Sequence, residues 1–257
     1  MHSLADSTGD SVGTSVPNRV PDVRMRWDDL LFLHWPVEPA VMRRLVPREL
    51  EVDLFDGRAW IALVPFRMEA TRFRGIPPLP GLSSFYECNV RTYVRAKGAS
   101  GDVPGVWFFS LDAERLLPVL GGNALWSLNY VHSRFDVRAR RDEVEGGHAF
   151  EYALRRRRDR AGAMSVAWRR GEAIERAAPG SIEHFLTERY WLFTVRRGRV
   201  MGGRIAHEPW SLRSASVLRL EDSLVKAAGV EVRGEPLAWH SDSLEVRGWN
   251  LVEMERA

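Results

Sequence analysis

Four polar side chains alternate along one short segment, Glu87-x-Asn89-x-Arg91-x-Tyr93. Because successive side chains of a β-strand point to opposite faces, a strand here would place all four on one face. Burial raises the pKa of a glutamate and suits it to proton transfer, while an arginine binds a carboxylate through parallel hydrogen bonds. If this face is enclosed, Glu87 and Arg91 are candidate catalytic residues, and Asn89 and Tyr93 are candidates for substrate binding.

Two other arrangements of the same segment would have no chemical role. In the first, the strand is half buried and its polar face, with Glu87 and Arg91, meets water. In the second, the interior is filled and Glu87 pairs with Arg91. The burial of this face and the partners of these two side chains distinguish the three arrangements.

Other residues could line the same pocket. Tyr130 and His132 are two residues apart, so a strand would place them on one face. His207 begins the segment His-Glu-Pro-Trp, in which Pro209 prevents the helix that a zinc-binding HExxH motif requires. For each of these residues, the alternative is a hydrogen-bonded side chain in the core. Scattered histidines and the lack of a glycine-rich phosphate loop lead us to predict no metal site and no cofactor.

The elements that must position these residues are mostly strands. Apolar or alternating segments predict strands over 27–36, 50–54, 58–66, 85–94, 106–112, 150–154, 164–168, 191–195, 200–207, 214–220 and 244–252. Short helices are predicted after Pro39, over 113–122, after Ser181 and over 222–228. No linker divides residues 25–257, which predicts one β-rich α+β domain, a β-barrel core with a few covering helices. Residues 1–24 are predicted to be a disordered leader.

Composition narrows the class of protein. Of the 257 residues, 45% are hydrophobic and 28% are charged, a balance typical of a globular domain. No apolar run approaches the roughly 20 residues of a membrane helix, so no membrane association is predicted. Cys88 is the only cysteine and cannot form an internal disulfide. Without a secretory signal at the start of the sequence, a cytoplasmic location is expected.

The basic residues are almost all arginine. Of 37 Lys and Arg residues, only Lys97 and Lys226 are lysines, so an imine mechanism has just two candidate nucleophiles. The run of arginines over 155–160 is predicted to be a solvated hairpin loop, because no basic helix or aromatic platform accompanies it. No nucleic-acid partner is therefore predicted. A homodimer is possible from the general frequency of dimers.

Motifs spread in order over residues 25–241 resemble the YqjF-like bacterial proteins, a family of unknown function. They are His34-Trp35, Leu45-Val-Pro47, Glu51-Val-Asp53, Asp56-Gly57-x-Ala-Trp60, Val64-Pro65-Phe66, Phe85-x-Glu87-x-Asn89-Val-Arg91-Thr-Tyr93-Val, Gly105-Val-Trp107-Phe-Phe-Ser110-Leu-Asp112, Leu186-Thr-Glu188-Arg189-Tyr190 and His207-x-Pro209-Trp210. The resemblance marks His34 and His207 as further candidates for substrate binding.

That family is similar in fold to acetoacetate decarboxylase. The resemblance implies a β-barrel-like core with a small-carboxylate site, and it places Glu87 at the position of an active-site carboxylate. The decarboxylase forms an imine between a keto acid and a lysine near the middle of its chain. The matching stretch here, residues 125–132, contains no lysine, and neither Lys97 nor Lys226 lies at the matching place.

We therefore expect a protein that binds a small organic ligand, an anionic carboxylate or a carbonyl compound. Arg91 is expected to hold the anion and Glu87 to move a proton without an imine, as in proton abstraction beside a carbonyl, hydration or dehydration. The residues expected to bind or orient the ligand are His34, Asn89, Tyr93, Tyr130, His132 and His207. The alternative is a non-catalytic metabolite-binding or interaction protein.

Overall fold

A computed structural model describes residues 18–77, 83–98, 101–116, 127–141, 148–159 and 161–254. Within these residues lie thirteen strands and three short helices. The strands are β1 (Val23–Val37), β2 (Glu51–Val52), β3 (Ala59–Phe73), β4 (Phe85–Gly98), β5 (Gly101–Ala113), β6 (Tyr130–Arg141), β7 (His148–Arg156), β8 (Ala163–Ala173), β9 (Trp191–Arg196), β10 (Arg199–Ala206), β11 (Leu212–Asp222), β12 (Leu237–Gly248) and β13 (Val252–Glu253). The helices are α1 (Pro39–Leu45), α2 (Ile182–Thr187) and α3 (Leu224–Ala227).

The paired strands close on themselves. Going round the ring, the order is β5-β6-β7-β8-β11-β12-β1-β3-β4, and β4 pairs again with β5. Strands β9 and β10 form a second connection, because β9 pairs with β5 and β10 pairs with β12. Closure gives β1, β3 and β4 a hydrogen-bonded neighbour on each side, so these strands have no free edge.

Strands β1, β3 and β4 are buried on both faces. One face packs into an apolar cluster that includes Leu31, Leu63 and Val90, and the other packs into a cluster that includes Phe32 and Phe66. We call the second surface the Glu87 face, because Glu87, Asn89, Arg91 and Tyr93 of β4 lie on it. Burial on both sides explains the nearly continuous apolar runs over 30–33 in β1 and 59–66 in β3.

Local sequence signals place several of the short elements as predicted. Asp56 and Gly57 both have positive φ, 50° and 70°, and form a tight turn between the predicted strands 50–54 and 58–66. The Ser181 hydroxyl accepts a hydrogen bond from the backbone N–H of His184 and caps α2. The carboxylate of Asp222 does the same for the first N–H groups of α3.

Strand β6 is not among the predicted strands, β3 and β5 are longer than predicted, and the predicted strand 244–252 is the end of β12 followed by β13. Other predicted boundaries differ as well. The first strand does not end at Pro36 but runs to Val37. Strand β12 pairs with β1 only as far as His34, so no strand on that side needs a backbone N–H from Pro36. β1 begins at Val23, inside the predicted leader, whose residues 1–17 lie outside the described part of the chain. Ala113, predicted as the start of a helix, ends β5, and residues 117–122 of that prediction also lie outside the described part.

A β-bulge in β1 turns Trp27 onto the Glu87 face. Asp29 has φ 52°, and the register between β1 and β3 shifts by one residue between Asp28 and Leu33. An extra residue reverses which side chains face which side of the sheet. Trp27 therefore packs against Phe66 on the Glu87 face, although strict alternation from Phe32 would put it on the opposite face.

The positive φ of Asp29 gives the first testable prediction. Asp29→Val should destabilise the protein by about 1–3 kcal/mol relative to Asp29→Gly, because a β-branched residue adopts this backbone conformation poorly and glycine adopts it freely. Urea unfolding of the two variants measures the difference. Asp136→Val on the exposed side of β6 is the matched control and should change stability little. Equal stability of the glycine and valine variants would show that the bulge is not held in this conformation.

Candidate functional site

The polar side chains of β4 are enclosed. The exposed fraction is 3% for Glu87, 5% for Asn89, 9% for Arg91 and 0% for Tyr93. The arrangement in which this face meets water is therefore wrong. A buried polar face is costly unless its groups find partners, so the partners of each group become the informative observation.

Glu87 is a carboxyl group in an apolar setting. Its cross-strand neighbours are Phe66 and Ala113, and the Tyr130 hydroxyl donates a hydrogen bond to Oε2 over 3.2 Å. Burial raises the pKa of Glu87 to about 8, the nearby charge of Asp112 adds to the increase, and the hydrogen bond from Tyr130 opposes it. Glu87 therefore carries a proton over most of the neutral range and can release it to a base of moderate strength.

Arg91 lies on the same face without an anion. Its Nη2 donates to the backbone carbonyl of Leu186 over a long 3.4 Å, and its guanidinium carbon lies 5.6 Å from the centre of the Phe32 ring. Its Nε is buried with no hydrogen-bond partner among the described residues, and Arg91 forms no ion pair with any carboxylate there. The filled arrangement, in which Glu87 and Arg91 pair with each other, is therefore wrong as well.

His34 and Tyr93 form a hydrogen-bonded chain next to Arg91. The Tyr93 hydroxyl donates to the backbone carbonyl of Leu186 over 2.9 Å, so its oxygen accepts from His34 Nε2 over 2.8 Å. The proton of the neutral His34 ring is thereby fixed on Nε2. Burial, and then the positive charge of Arg91, lower the pKa of His34 well below its ordinary value, so the ring stays neutral.

The two hydrogen bonds of the Tyr93 hydroxyl give a second prediction. Tyr93→Phe should destabilise the protein by about 2 kcal/mol, because it leaves both the His34 N–H and the Leu186 carbonyl without their buried partner. Tyr86→Phe is the matched control, since the Tyr86 hydroxyl makes no hydrogen bond among the described residues. Chemical denaturation measures both. Equal effects of the two changes would show that the Tyr93 hydroxyl does not form these hydrogen bonds in solution.

The Glu87 face continues onto β6. Ala113 lies opposite both Glu87 on β4 and His132 on β6, and Tyr130 reaches diagonally to Glu87. His132 Nε2 donates to the backbone carbonyl of Glu114 over 3.2 Å. Tyr130 therefore contacts Glu87, a predicted catalytic residue. The described contact of His132 is instead with a backbone carbonyl.

His207 lies among the aromatic rings next to the Glu87 face. Its ring stacks on Tyr190 with 4.7 Å between centroids and lies 5.1 Å from the ring of Trp210. Nδ1 donates to the backbone carbonyl of Glu208 over 2.7 Å. Burial lowers the pKa of His207, and the charges of Arg91 and Arg204 contribute to the decrease.

Several residues of this site were not predicted. Trp27 stacks on Trp210 with 6.1 Å between centroids, Phe32 lies under Arg91, and the carbonyl of Leu186 binds both Arg91 and Tyr93. Trp210 is held in place through its indole N–H, which donates to a carbonyl of α2. Long-range contacts of this kind have no local sequence signal, although Leu186 and Trp210 do lie within the motifs quoted above.

Neither lysine reaches the Glu87 face. Lys97 is exposed and forms an ion pair with Asp102 at 3.0 Å. Lys226 is exposed on α3. An imine on this face would therefore require a lysine that the chain does not place there.

The arginine run is not simply a solvated loop. Arg156 turns inward and its Nε and Nη2 donate to the two oxygens of Asp112 over 2.9 and 2.8 Å. Asp112 is fully buried, so this pair is part of the core. Cys88 is buried on the face opposite Glu87, and burial raises the pKa of its thiol well above the ordinary value.

Two further observations cover the described part of the chain. No group of three or more His, Cys, Asp or Glu residues there is arranged to bind a metal ion. Nor does any described helix have the length and apolar character needed to cross a membrane.

Residues 24–245 match the family DUF2071, described as an uncharacterized conserved protein. The chain belongs to this family. Its relative in Bacillus subtilis, the uncharacterized protein YqjF, is 36% identical over 238 residues, which cover 92% of this chain and 94% of YqjF. The resemblance to the YqjF-like proteins is thereby confirmed.

Solved structures place this member of DUF2071 in a known fold. The enduracididine biosynthesis enzyme MppR, complexed with pyruvate, has a TM-score of 0.64 at 16% identity and covers 95% of this chain and 98% of its own. An acetoacetate decarboxylase-like enzyme from Sphingomonas wittichii RW1 has a TM-score of 0.62 at 13% identity, with 93% and 95% covered. These likenesses confirm the predicted acetoacetate-decarboxylase-like, strand-rich fold.

Proposed function

We propose that this chain binds a small organic carboxylate or carbonyl compound on the Glu87 face, where Glu87 transfers a proton without an imine. The observation that carries the proposal is a buried Arg91 with no ion pair among the described residues, on the same face of β4 as a buried carboxyl group whose pKa burial raises to about 8. A buried arginine without an anion is unfavourable, and an anionic ligand removes that cost.

The proposed roles follow from the contacts. Arg91 holds the ligand carboxylate or the negative charge that develops on a carbonyl oxygen. Glu87 gives or takes the proton, and Tyr130 stabilises its ionised form by donating a hydrogen bond to it. His34, Asn89, Tyr93, His132 and His207 are proposed to bind or orient the ligand around this pair.

The solved neighbours support a small acid as the ligand class. MppR was solved in complex with pyruvate, a three-carbon keto acid, and other neighbours are acetoacetate decarboxylases. The chemistry must differ from imine formation, because Lys97 and Lys226 are both exposed and away from the Glu87 face. Proton abstraction beside a carbonyl, hydration and dehydration need only an acid or base and an anion-binding group.

Deuterium exchange tests whether the protein is an enzyme. Keto acids incubated in D2O with the protein should lose the ¹H NMR signal of the hydrogens beside the carbonyl faster than in buffer alone. Glu87→Gln should abolish the acceleration while binding persists. Binding without acceleration by the wild-type protein would favour the alternative, a metabolite-binding protein.

Reductive trapping is a separate check on the mechanism. Borohydride added to a mixture of protein and keto acid should leave the protein mass unchanged. A covalent adduct on Lys97 or Lys226 would overturn the exclusion of imine chemistry.

A further inference from the structure

We propose that the preferred ligand of the Glu87 face carries a hydroxyl group, or another hydrogen-bond donor, next to its carboxylate, as small hydroxy acids do. This inference deepens the proposed function and rests on it. It follows from the buried polar atoms of the face that have no hydrogen-bond partner among the described residues.

Two of these atoms accept hydrogen bonds. His34 Nδ1 is buried and without a partner, and the proton on Nε2, fixed by Tyr93, leaves Nδ1 with a free lone pair. Asn89 Oδ1 is the second buried acceptor without a partner. The keto group and the carboxylate of a keto acid are themselves acceptors, so neither can satisfy these atoms. A hydroxyl group can.

Three other atoms of the face donate hydrogen bonds. Arg91 Nε, Trp27 Nε1 and Trp60 Nε1 are buried N–H groups without a partner among the described residues. A carboxylate held by Arg91 offers acceptor lone pairs to such a donor. The face thus presents unsatisfied donors and unsatisfied acceptors together, and a ligand with both an anion and a donor matches it better than a ligand with acceptors alone.

The strand register places the acceptor His34 and the donor Arg91 on either side of β3. His34 on β1 and Arg91 on β4 both lie directly opposite Ala62 on β3. Two strand spacings separate their Cα atoms by about 10 Å. The only side chain that β3 places between them is the methyl group of Ala62, so a small acid held by Arg91 can direct a hydroxyl group toward His34.

Matched acids test the inference directly. Propionate, pyruvate and lactate differ only in having no polar group, a keto group or a hydroxyl group beside the carboxylate, and 3-phenylpropionate, phenylpyruvate and 3-phenyllactate form the same series with a ring. Isothermal titration calorimetry should give the hydroxy acid of at least one series a Kd about tenfold lower than those of its keto and unsubstituted partners.

Variants connect this preference to the acceptors. His34→Leu should reduce the preference for the hydroxy acid to about twofold or less, while His148→Leu, at an exposed histidine on β7, should leave it unchanged. Asn89→Leu provides an independent variant if loss of the contact between His34 and Tyr93 prevents folding. A preference that survives in both His34→Leu and Asn89→Leu would overturn the inference.

The outcomes separate this inference from the proposed function. Arg91-dependent binding of all three acids of a series with equal affinity, or a preference for the keto acid, would overturn the inference and leave the proposed function standing. Failure of every acid in both series to bind in an Arg91-dependent manner would overturn both.

Discussion

Wild-type protein should lose stability relative to Glu87→Gln as the pH rises from about 5 to 8. The pKa of Glu87 is about 8 in the folded protein and is ordinary, 4.5, when the chain is unfolded. Between these values the folded state holds a proton that the unfolded state has released, so the free energy of unfolding falls as pH rises. The slope is about 1.4 kcal/mol per pH unit, and the total over the window is roughly 5 kcal/mol.

The comparison isolates Glu87 because glutamine keeps the shape of the side chain and does not titrate. Urea unfolding at several pH values from 4 to 9 should show the two curves diverging up to about pH 8 and running parallel above it. Glu151→Gln, at an exposed glutamate on β7, should follow the wild-type curve throughout. Parallel curves for wild type and Glu87→Gln over the whole range would show that Glu87 is solvated and ionised in the folded protein.

Arg91→Ala should have the largest effect on ligand binding. Truncating one partner of a buried, hydrogen-bonded charge pair typically costs roughly 2–5 kcal/mol of binding free energy. Affinity for a bound acid should therefore fall by about 30-fold or more, measured by isothermal titration calorimetry. The physical reason is that Arg189, whose guanidinium also lies over Tyr93, is already paired with Asp53, whereas Arg91 has no carboxylate partner among the described residues.

Two further variants control this experiment. Arg91→Met keeps the apolar stem of the side chain and should also abolish tight binding, which separates lost charge from lost packing. Arg72→Ala removes an exposed arginine from β3 and should bind like wild type. Full affinity in Arg91→Met would place the anion site elsewhere on the protein.

The alternation of polar residues in β4 could be predicted from the sequence, because a strand has a period of two. The burial of those residues could not, because an enclosed polar face and a solvated one have the same pattern. Whether the face is enclosed depends on distant residues such as Leu186, which is 95 residues away from Arg91 and accepts a hydrogen bond from it through a backbone carbonyl. A backbone carbonyl has no signature in the side-chain sequence.

Two other features show the same limit. The Asp29 bulge depends on one residue with positive φ, and aspartate adopts this conformation only in some contexts, so Trp-Asp-Asp does not reveal it. Arg156 stands in a run of exposed arginines, and only its partner Asp112, 44 residues earlier, draws it into the core. Helix caps and the Asp56-Gly57 turn were predictable because each signal is local.

The most direct test of the Glu87 face as a ligand site is a crystal structure of the wild-type protein with the tightest-binding acid of the two series. We expect the ligand carboxylate within hydrogen-bond distance of the Arg91 guanidinium, and the hydroxyl group of a hydroxy acid directed toward His34 Nδ1. A ligand bound at any other place, with Arg91 still hydrogen-bonded only to the Leu186 carbonyl, would contradict the account.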